Sequence, residues 1–287
     1  MTTVTELSNF PPMLSVALLK SVVIGHGSVY DWPMLDIHLI PLLKDNYAYL
    51  LRDTESGKTA VVDPSLAGGV ETALQSKSLK LDFILNTHHH YDHVGGNLDL
   101  KETYGCKIVG FAGDAERIPG LDIAVHPGDD FQLGNSTARI LGASGHTRGH
   151  ILYWFADAEA LFSGDTLFSL GCGRLFEGTP EEMWNTLNGL RSLPDTTRVY
   201  CGHEYTADNA TFALTVDPEN PALHERSREA ESLRRTGLPT IPSTLRSEWE
   251  CNPFLRVSDP SIRKRLRMLS DPDAKVFGEL RKRKDVF

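Results

Sequence analysis

The sequence lacks several features that define other classes of protein. Its 287 residues contain no run of 18 apolar residues, so no segment is long enough to cross a membrane as a helix. Its four cysteines include no C-x-x-C pair, which favours reduced thiols in a cytoplasmic protein, with mitochondria as an alternative, over a disulfide framework. Positive charge is also scarce, since the net charge is −9, and this argues against a nucleic-acid partner.

The basic residues that do occur are concentrated at the C-terminal end. From Ser261 to Phe287 there are nine Lys and Arg against four Asp and Glu, whereas the rest of the chain is acidic. A basic end on an acidic protein could bind a small anion. The alternative for each of these residues taken singly is a solvated helix face.

Residues 1–33 stand apart from the rest of the chain. Their apolar segment, 13–24, is interrupted by Lys20, and no basic region precedes it. No arginine occurs before Arg52, which is unlike a transit peptide. We therefore treat residues 1–33 as an N-terminal extension of uncertain role.

Short apolar runs of the β type recur between residues 36 and 165, separated by Gly, Pro and Asp, and one more strand is expected at 198–202. Helical patterns are found at 67–78, 95–104, 179–194, 206–216, 220–236 and 260–284. No strand is expected beyond residue 205. The order of elements predicts an α/β domain over 34–205, followed by a smaller helical domain over 206–287.

The run HHHYDH places four histidines and an aspartate within six positions. In an extended backbone, residues i and i+2 face the same way, so His88 and His90 can point at one metal ion while His89 faces away. Where the chain turns toward a helix, Asp92 and His93 are re-aimed and can reach a second ion. The run therefore predicts one part of a metal site.

Further ligands must come from elsewhere, because this run alone cannot complete a coordination shell. Three candidates lie at the ends of predicted strands, namely His146 in SGHTRGH, Asp165 in FSGDTLF and His203 in CGHEYT. Strand ends at one edge of a sheet converge, and α/β folds build their sites there. His150 also follows in SGHTRGH, and we interpret it as a supporting residue more readily than as a ligand.

The number of candidate ligands indicates two metal ions. Five histidines and two aspartates exceed the ligand set of a single zinc ion and suit two ions that share a carboxylate. We assign one ion to His88, His90 and His146, and the other to Asp92, His93 and His203. Asp165 is expected to bridge both.

The motifs THHHYDH, GHTRGH, GDT and GHE resemble the metallo-β-lactamase superfamily of binuclear hydrolases. Within that superfamily, the stretches IPLLKDNYAYLL, GDTLF..GCGRLFEGT, PSTL....ECNPFLR and the terminal LRKRKD resemble the glyoxalase II, or hydroxyacylglutathione hydrolase, family. The resemblance runs from about residue 36 to the end of the chain. It implies an αββα sandwich followed by a smaller, all-helical C-terminal domain that binds glutathione.

The same resemblance implies hydrolysis of the thioester S-D-lactoylglutathione to D-lactate and glutathione, a step of methylglyoxal detoxification, by a hydroxide that bridges two divalent metal ions. Zinc is the expected metal, with iron and manganese as alternatives, because His/Asp sets accept all three. Asp165 and Asp92 are the expected catalytic residues, Asp92 also as a proton acceptor.

The resemblance also implies a set of substrate contacts. Phe176 occupies a position that is Tyr in some members of the family. On spacing alone, the two cations near the C-terminus would be interpreted as an exposed helix end, and only the resemblance gives them a role. The implied glutathione contacts are Arg174, Phe176, Tyr205, Arg281 and Lys284.

Thioester hydrolysis suits a site that offers metal ligands and no separate acid–base pair. The leaving thiolate, with a pKa of about 8.5 judged from free cysteine, departs without a strong acid. Two alternatives stay open: a glutathione persulfide dioxygenase with a single iron, and a non-catalytic glutathione-binding scaffold. We expect a monomer with a small-molecule substrate and no nucleic-acid or membrane partner.

Overall fold

Alternating side chains on the strand Asn46–Asp53 show how the sequence builds a layered core. In the computed structural model, which describes residues 34–287, Tyr49 and Leu51 of this strand lie in one buried cluster. Leu50, which points to the opposite face, lies in another. Both faces of the strand are therefore covered by apolar side chains, as expected for a strand in the middle of a sandwich.

The first sheet contains six strands from the first part of the described chain. They are β1 Leu35–Leu42, β2 Asn46–Asp53, β3 Thr59–Val62, β4 Phe83–Leu85, β5 Lys107–Phe111 and β6 Leu121–Val125. These strands lie in sequence order; β1, β2 and β3 pair antiparallel, and β3 to β6 pair parallel.

The second sheet and a short hairpin follow. Their strands are β7 Asp130–Leu133, β8 Ser136–Gly142, β9 Ile151–Phe155, β10 Ala160–Gly164, β11 Leu167–Phe168, β12 Gly171–Cys172, β13 Arg198–Cys201 and β14 Ser243–Thr244. The order in the sheet is β14-β13-β10-β9-β8-β7, with β10 and β13 parallel, while β11 and β12 form a separate antiparallel pair.

Helices cover the outer faces of both sheets. Those of the described residues are α1 Ala67–Ser76, α2 Tyr91–Val94, α3 Asn97–Tyr104, α4 Pro180–Gly189, α5 Thr206–Val216, α6 Pro221–Arg235, α7 Leu245–Cys251, α8 Pro260–Leu266 and α9 Asp273–Asp285. Two 3₁₀ turns, Ala112–Asp114 and Leu190–Ser192, complete the set.

Three clusters of buried side chains hold these layers together. One lies between the two sheets, and a second joins the outer face of the first sheet to α1 and α3. The third joins the second sheet to α4 and to the C-terminal helices. This arrangement confirms the predicted αββα sandwich with a helical C-terminal region, and residues 34–287 belong to one compact unit.

Helix α4 begins as its sequence predicts. The Thr179 hydroxyl accepts the backbone N–H of Glu182, and the Glu182 carboxylate accepts the backbone N–H of Thr179. Pro180 occupies the first turn, where a missing N–H costs nothing. A capping interaction of this kind stabilises a helix by about 1 kcal/mol.

The structure differs from the sequence predictions in several elements. The expected helix 260–284 is two helices, because Arg267 ends α8 in a left-handed conformation and Pro272 precedes α9. The short strand β14 lies beyond residue 205, where no strand was expected, and pairs with the edge of β13.

The elements β6, β7 and α7 were not predicted; the two strands are short and carry several exposed polar side chains, so their apolar pattern is weak. No helix within 34–287 is both long and apolar enough to span a bilayer. The extension 1–33 lies outside the described residues.

Candidate metal centre

The predicted ligands meet where strands of both sheets end. His88 follows β4 of the first sheet. His146 follows β8, Asp165 follows β10, and His203 follows β13, all of the second sheet. The strands β8, β10 and β13 run parallel, so these three residues follow strand ends at one edge of one sheet, as expected. The HHHYDH run follows the other sheet, so the whole site draws on both sheets.

Three imidazole nitrogens converge in the first cluster. His90 Nδ1 lies 3.1 Å from His88 Nε2 and 3.0 Å from His146 Nε2. Four donor atoms placed tetrahedrally about 2.05 Å from one zinc ion would lie about 3.3–3.4 Å from one another. The spacing of these nitrogens therefore suits a common metal ion.

Hydrogen bonds to the outer ring nitrogens of His146 and His88 determine which nitrogen of each ring carries the proton. His146 Nδ1 lies 2.9 Å from the carbonyl oxygen of Arg174, so it donates there and leaves Nε2 as a lone pair. Thr87 Oγ1 donates to Asp63 Oδ2 and lies 3.1 Å from His88 Nδ1, from which its oxygen accepts. Both Nε2 atoms thus face the cluster as ligands.

The second cluster contains Asp92, His93 and His203. Asp92 Oδ2 lies 3.5 Å from His93 Nε2 and 3.4 Å from His203 Nε2. The outer nitrogens again have carboxylate partners, since His93 Nδ1 lies 3.1 Å from Asp63 Oδ2 and His203 Nδ1 lies 2.9 Å from Asp45 Oδ1. This arrangement of carboxylate, histidine and inward-facing nitrogen is typical of metal sites.

Asp165 lies between the two clusters. Its Oδ2 is 3.5 Å from His146 Nε2 and 3.4 Å from His203 Nε2, while Oδ1 is 3.4 Å from His93 Nε2. Two buried atoms here, His93 Nε2 and Asp165 Oδ1, have no hydrogen-bond partner among the described residues. Buried polar atoms without partners are costly, and a metal ion would satisfy both.

Gly202 leaves space for this arrangement because it has no side chain. A Cβ atom at Gly202 would lie 2.5 Å from Asp165 Oδ1 and 2.7 Å from a ring carbon of His93. Any side chain at this position would displace the carboxylate or the imidazole. The glycine before His203 therefore has a role in the site as well as in the turn.

Burial and neighbouring charges separate the histidines into two classes. Burial, together with the adjacent His146, lowers the pKa of His90 to about 4, and burial also lowers the pKa of His88 and His146. Burial opposes protonation of His203 as well, but the Asp165 and Asp92 carboxylates raise its pKa to about 10.

In the second cluster, carboxylates favour the protonated histidines, and these histidines favour the ionised carboxylates. Burial would lower the pKa of His93, but Asp165 and Asp63 raise it well above its ordinary value. Burial would raise the pKa of Asp165, and that of Asp92, but the neighbouring His93 and His203 hold both well below the usual range. The first cluster thus offers neutral ligands, and the second offers two charged pairs.

Two histidines of the ligand motifs, His89 and His150, were not assigned as ligands, and both have other partners. His89 faces away from the cluster, with its Nδ1 3.3 Å from Asp114 Oδ2. His150 Nε2 accepts the backbone N–H of Asp165 at 3.1 Å, and its Nδ1 lies 3.2 Å from Thr166 Oγ1. His150 therefore supports the Asp165 backbone, in agreement with its interpretation as a supporting residue.

A cavity of about 720 Å³ is lined by five of the predicted metal ligands, His90, Asp92, His146, Asp165 and His203. His203 stacks on Tyr205 at a centroid distance of 4.7 Å, and Phe176, which is 62% exposed, lies edge-on to His146. The cavity lining includes every residue predicted to contact glutathione: Arg174, Phe176, Tyr205, Arg281 and Lys284.

The three cationic side chains of the cavity rim differ in their burial and in their hydrogen bonds. Arg281 is buried and donates to the Cys172 carbonyl oxygen at 2.7 Å and to Asp285, so it is not the exposed helix end that spacing alone suggested. Lys284 is partly exposed, and its Nζ donates to the backbone carbonyl of Asp208 at 3.2 Å. Arg174 is largely exposed.

Comparison with known proteins agrees with this geometry. Residues 43–203 match the family model of the metallo-beta-lactamase superfamily, and residues 204–287 match that of the hydroxyacylglutathione hydrolase C-terminus. Hydroxyacylglutathione hydrolase of Methylococcus capsulatus is 56% identical over 254 residues, which cover 88% of this chain and 99% of that protein. The chain belongs to the hydroxyacylglutathione hydrolase family.

Other comparisons extend this result. A relative of the same name from Rhodospirillum rubrum is 52% identical, over 88% of this chain and 99% of that protein. The crystal structure of ETHE1 from Myxococcus xanthus superposes with a TM-score of 0.60 over 88% of this chain and 99% of that chain, and at 22% identity it shows the fold alone. As a member of the family, the chain is a hydrolase, and its His/Asp cluster is a divalent-metal site.

Sequence reasoning missed the carboxylates that support the histidines in this family member. Asp45 lies in the stretch LLKDNY and Asp63 in AVVDP, both next to strand ends. Asn46 was also missed; its Nδ2 donates to Asp92 Oδ2 at 3.0 Å. An acid directly beside an apolar strand was the available signal, although such residues are also common in turns.

Replacing Asp45 with asparagine is expected to weaken metal binding about 10–100-fold, because outer partners orient metal-binding histidines. The change removes the carboxylate 2.9 Å from His203 Nδ1. Competition with a chromophoric chelator measures the affinity. Asp36→Asn is the matched control, since Asp36 pairs with His38 at the same distance, 2.9 Å, outside the cavity lining. Equal affinities for the two variants would contradict this role of Asp45.

Proposed function

We propose that this chain hydrolyses S-D-lactoylglutathione, or a closely related glutathione thioester, to the hydroxy acid and glutathione. The observation that supports this most directly is the cavity itself. Its floor is a pair of ligand clusters joined by Asp165, and its rim carries Arg174, Arg281 and Lys284. Relatives that are 48–56% identical have the name hydroxyacylglutathione hydrolase, which does not favour the single-iron dioxygenase alternative.

We propose two divalent ions with the ligand sets predicted from the sequence. His88, His90 and His146 would hold one ion, and Asp92, His93 and His203 would hold the other. Asp165 would contribute to both, and zinc is the expected metal. When bound, such ions lower the pKa of a coordinated water from about 15.7 to about 7 and stabilise negative charge on a carbonyl oxygen.

Asp92 and Asp165 support hydrolysis through their ionised state. The pKa of each is held well below its usual range by His93 and His203, so both stay negative at neutral pH. The Asp92 side chain is 39% exposed and lines the cavity, so it can accept a hydrogen bond from a water molecule there. Asp165 is nearly enclosed, which suits a ligand more than a mobile proton carrier.

The nature of the leaving group explains why these residues suffice. A thiolate leaves with a pKa of about 8.5, so the cavity needs no strong general acid beside the sulfur. An amide nitrogen would require one, because an amine anion is a far poorer leaving group. A metal centre that does not depend on a separate acid therefore suits a thioester.

The cavity rim suits the charges of glutathione. Its carboxylates are matched by Lys284 and Arg174, and Arg binds a carboxylate with two parallel hydrogen bonds where Lys provides a point charge. Tyr205 offers a ring and a hydroxyl beside His203. Phe176 offers an apolar wall without the hydroxyl that some family members have.

The decisive experiment measures the loss of thioester absorbance after S-D-lactoylglutathione is added to the metal-loaded chain. We expect rapid loss that His90→Ala abolishes, because His90 Nδ1 lies at the centre of the first ligand cluster. A chain that holds metal and binds glutathione yet never hydrolyses a thioester would favour the scaffold alternative. Oxygen uptake with glutathione persulfide would instead favour the dioxygenase.

Combining Arg174→Ala with Lys284→Ala is expected to raise KM about tenfold or more and to change kcat much less, since these cations lie on the rim and not among the ligands. Steady-state kinetics with S-D-lactoylglutathione gives both constants. Lys282→Ala is the control, because Lys282 is an exposed lysine of α9 outside the cavity lining. An unchanged KM in the double variant would contradict the proposed contacts.

The domain division belongs to the same proposal. We propose that residues 34–205 form the catalytic domain and 206–287 the glutathione-binding domain, and the two family models, which meet between residues 203 and 204, support a boundary near this point. The monomeric state and the cytoplasmic location stay predictions from the sequence.

A further inference from the structure

The hairpin of β11 and β12 lies in the chain between Asp165 and Arg174, whose carbonyl oxygen accepts a hydrogen bond from His146. Each of its strands has only two residues, and its turn contains Leu170 at φ +59°, a left-handed conformation that leucine rarely adopts. An isolated two-stranded hairpin is marginally stable at best. Its conformation therefore depends on the groups that surround it.

Two side chains from the C-terminal helical region bind the backbone of this turn. The Leu170 N–H donates to Glu248 Oε2 at 2.8 Å. Asn252 Nδ2 donates to the carbonyl oxygens of Phe168 at 3.2 Å and Gly171 at 3.0 Å, and also to Glu248 Oε2 at 3.0 Å. Glu248 and Asn252 are both fully buried, so these hydrogen bonds lie in the protein interior.

Further contacts anchor the same turn from α5 and α6. Asn209 Nδ2 donates to the Ser169 carbonyl oxygen at 3.1 Å, and an Arg226 guanidinium nitrogen lies 3.3 Å from Ser169 Oγ. Asn209 also lines the cavity, whereas Glu248 and Asn252 do not. Substitutions at Glu248 and Asn252 therefore test an effect transmitted through the hairpin, because these residues do not line the cavity in which a substrate would bind.

The far end of the hairpin contacts the metal ligands. The carbonyl oxygen of Arg174, two residues after β12, accepts a hydrogen bond from His146 Nδ1 at 2.9 Å. A Cβ atom at Gly173 would lie 1.9 Å from the Asp165 carbonyl oxygen and 3.0 Å from His146 Nδ1, so the backbones are packed directly together. A shift of the hairpin must therefore move both ligands.

We infer that Glu248 and Asn252 are positioning residues for the metal centre, which act by fixing the hairpin that orients His146 and Asp165. The inference rests on the ligand set proposed above. It gives the helical C-terminal region a second role besides contact with glutathione, since residues of α7 and its C-terminus set the geometry of a metal site in the sandwich.

Substitutions at Glu248 and Asn252 test this role by metal affinity, without any thioester. Glu248→Leu and Asn252→Ser are expected to lower the affinity for Zn²⁺ at least about tenfold, as measured by competition with a chromophoric chelator. Glu248→Gln keeps a carbonyl oxygen for Leu170 and Asn252, so its affinity is expected to stay within about twofold of the parent chain.

Asp259→Ala is the control. Asp259 also belongs to the helical region, where its carboxylate accepts the Ser261 N–H at 2.8 Å at the start of α8 and pairs with Arg256, with no bond to the hairpin. The substitution is expected to lower thermal stability through loss of the helix cap while leaving metal affinity unchanged. An equal loss of affinity in Asp259→Ala, or full affinity in folded Glu248→Leu, would overturn the inference.

A measurement on the parent chain decides the matter even if both variants fail to fold. Coupling between two sites is reciprocal, so metal binding must stabilise the contacts that stabilise the metal site. Hydrogen exchange is expected to slow in residues 245–254 when Zn²⁺ is added to the metal-free chain, but not in α8, residues 260–266, whose Arg263 binds Val257 and Asp271 and not the hairpin. Unchanged exchange in 245–254 would refute the coupling. A parent chain that binds no Zn²⁺ would instead refute the proposed metal centre itself.

Discussion

Replacing Asp165 with asparagine is expected to lower kcat/KM for S-D-lactoylglutathione by at least about a thousandfold, or about 4 kcal/mol of transition-state stabilisation. The reason is that this carboxylate lies 3.4–3.5 Å from ligand nitrogens of both clusters. An amide has the same shape but no charge, and its nitrogen cannot bind a metal ion. Steady-state kinetics and the metal content of the purified chain measure the two consequences.

Asp157→Asn provides the matched control for this substitution. Asp157 lies in the exposed turn between β9 and β10, in the segment that leads to Asp165, and outside the cavity lining. It should keep two ions and full activity. If Asp165→Asn retained both ions and more than about a tenth of the parent kcat/KM, the bridging role would be wrong.

The candidate ligands could be recognised in the sequence because metal-binding side chains recur there in a characteristic pattern. His88 and His90 are spaced i and i+2, and the structure places their inward nitrogens 3.1 Å apart. His146 and His203 stand out as histidines next to glycines at strand ends. Where a reaction requires particular side chains at particular spacings, the sequence indicates those residues without knowledge of the fold.

The supporting residues could not be predicted in the same way. Asp45 and Asp63 resemble ordinary turn acids, and only the fold places them beside His203 and His93. Glu248 and Asn252 lie about 80 residues from the hairpin that they bind. Such hydrogen bonds join buried groups that are far apart in sequence. They depend on tertiary packing, which local sequence patterns do not predict.

The boundaries of the helical region were mispredicted for a related reason. Residues 260–284 have a continuous helical composition, but Arg263 donates to the carbonyl oxygens of Val257 and Asp271 and so holds the break between α8 and α9 together. These contacts satisfy backbone groups that a helix would otherwise have paired. The break turns α9 so that Arg281 and Lys284 reach the cavity.

The two ligand clusters are expected to bind their metal ions with different pH dependence. At neutral pH, His88, His90 and His146 are already unprotonated, because burial keeps the pKa of His90 at about 4 and lowers the other two as well. A metal ion that enters this cluster displaces no proton. Its affinity should therefore be nearly constant between about pH 6 and pH 8.

The second cluster must lose protons before it can bind. The pKa of His203 is raised to about 10, chiefly by Asp165 against the effect of burial, and that of His93 is raised well above its ordinary value. Both imidazoles are thus protonated at pH 7 in the metal-free chain, and an ion must displace two protons. Lower pH favours the protonated form, so the affinity should fall about a hundredfold for each unit of decrease.

Calorimetric titration of the metal-free chain with Zn²⁺ at pH 7 measures this difference, in two buffers with different enthalpies of ionisation. One ion should release almost no protons and the other about two. His203→Ala should reduce the second value to about one, whereas His38→Ala, a change in a histidine outside the cavity lining, should leave both unchanged.

Equal proton release by the two ions would mean that the carboxylates do not hold His93 and His203 protonated. The pairing of Asp92 and Asp165 with these imidazoles would then be wrong. The expected asymmetry has a consequence for the enzyme, because acidification should remove the ion of the Asp92 cluster first. Activity should therefore fall with that ion while the ion of the His88 cluster is still bound, and parallel measurements of metal content and kcat across pH 8 to pH 6 would show whether the two losses coincide.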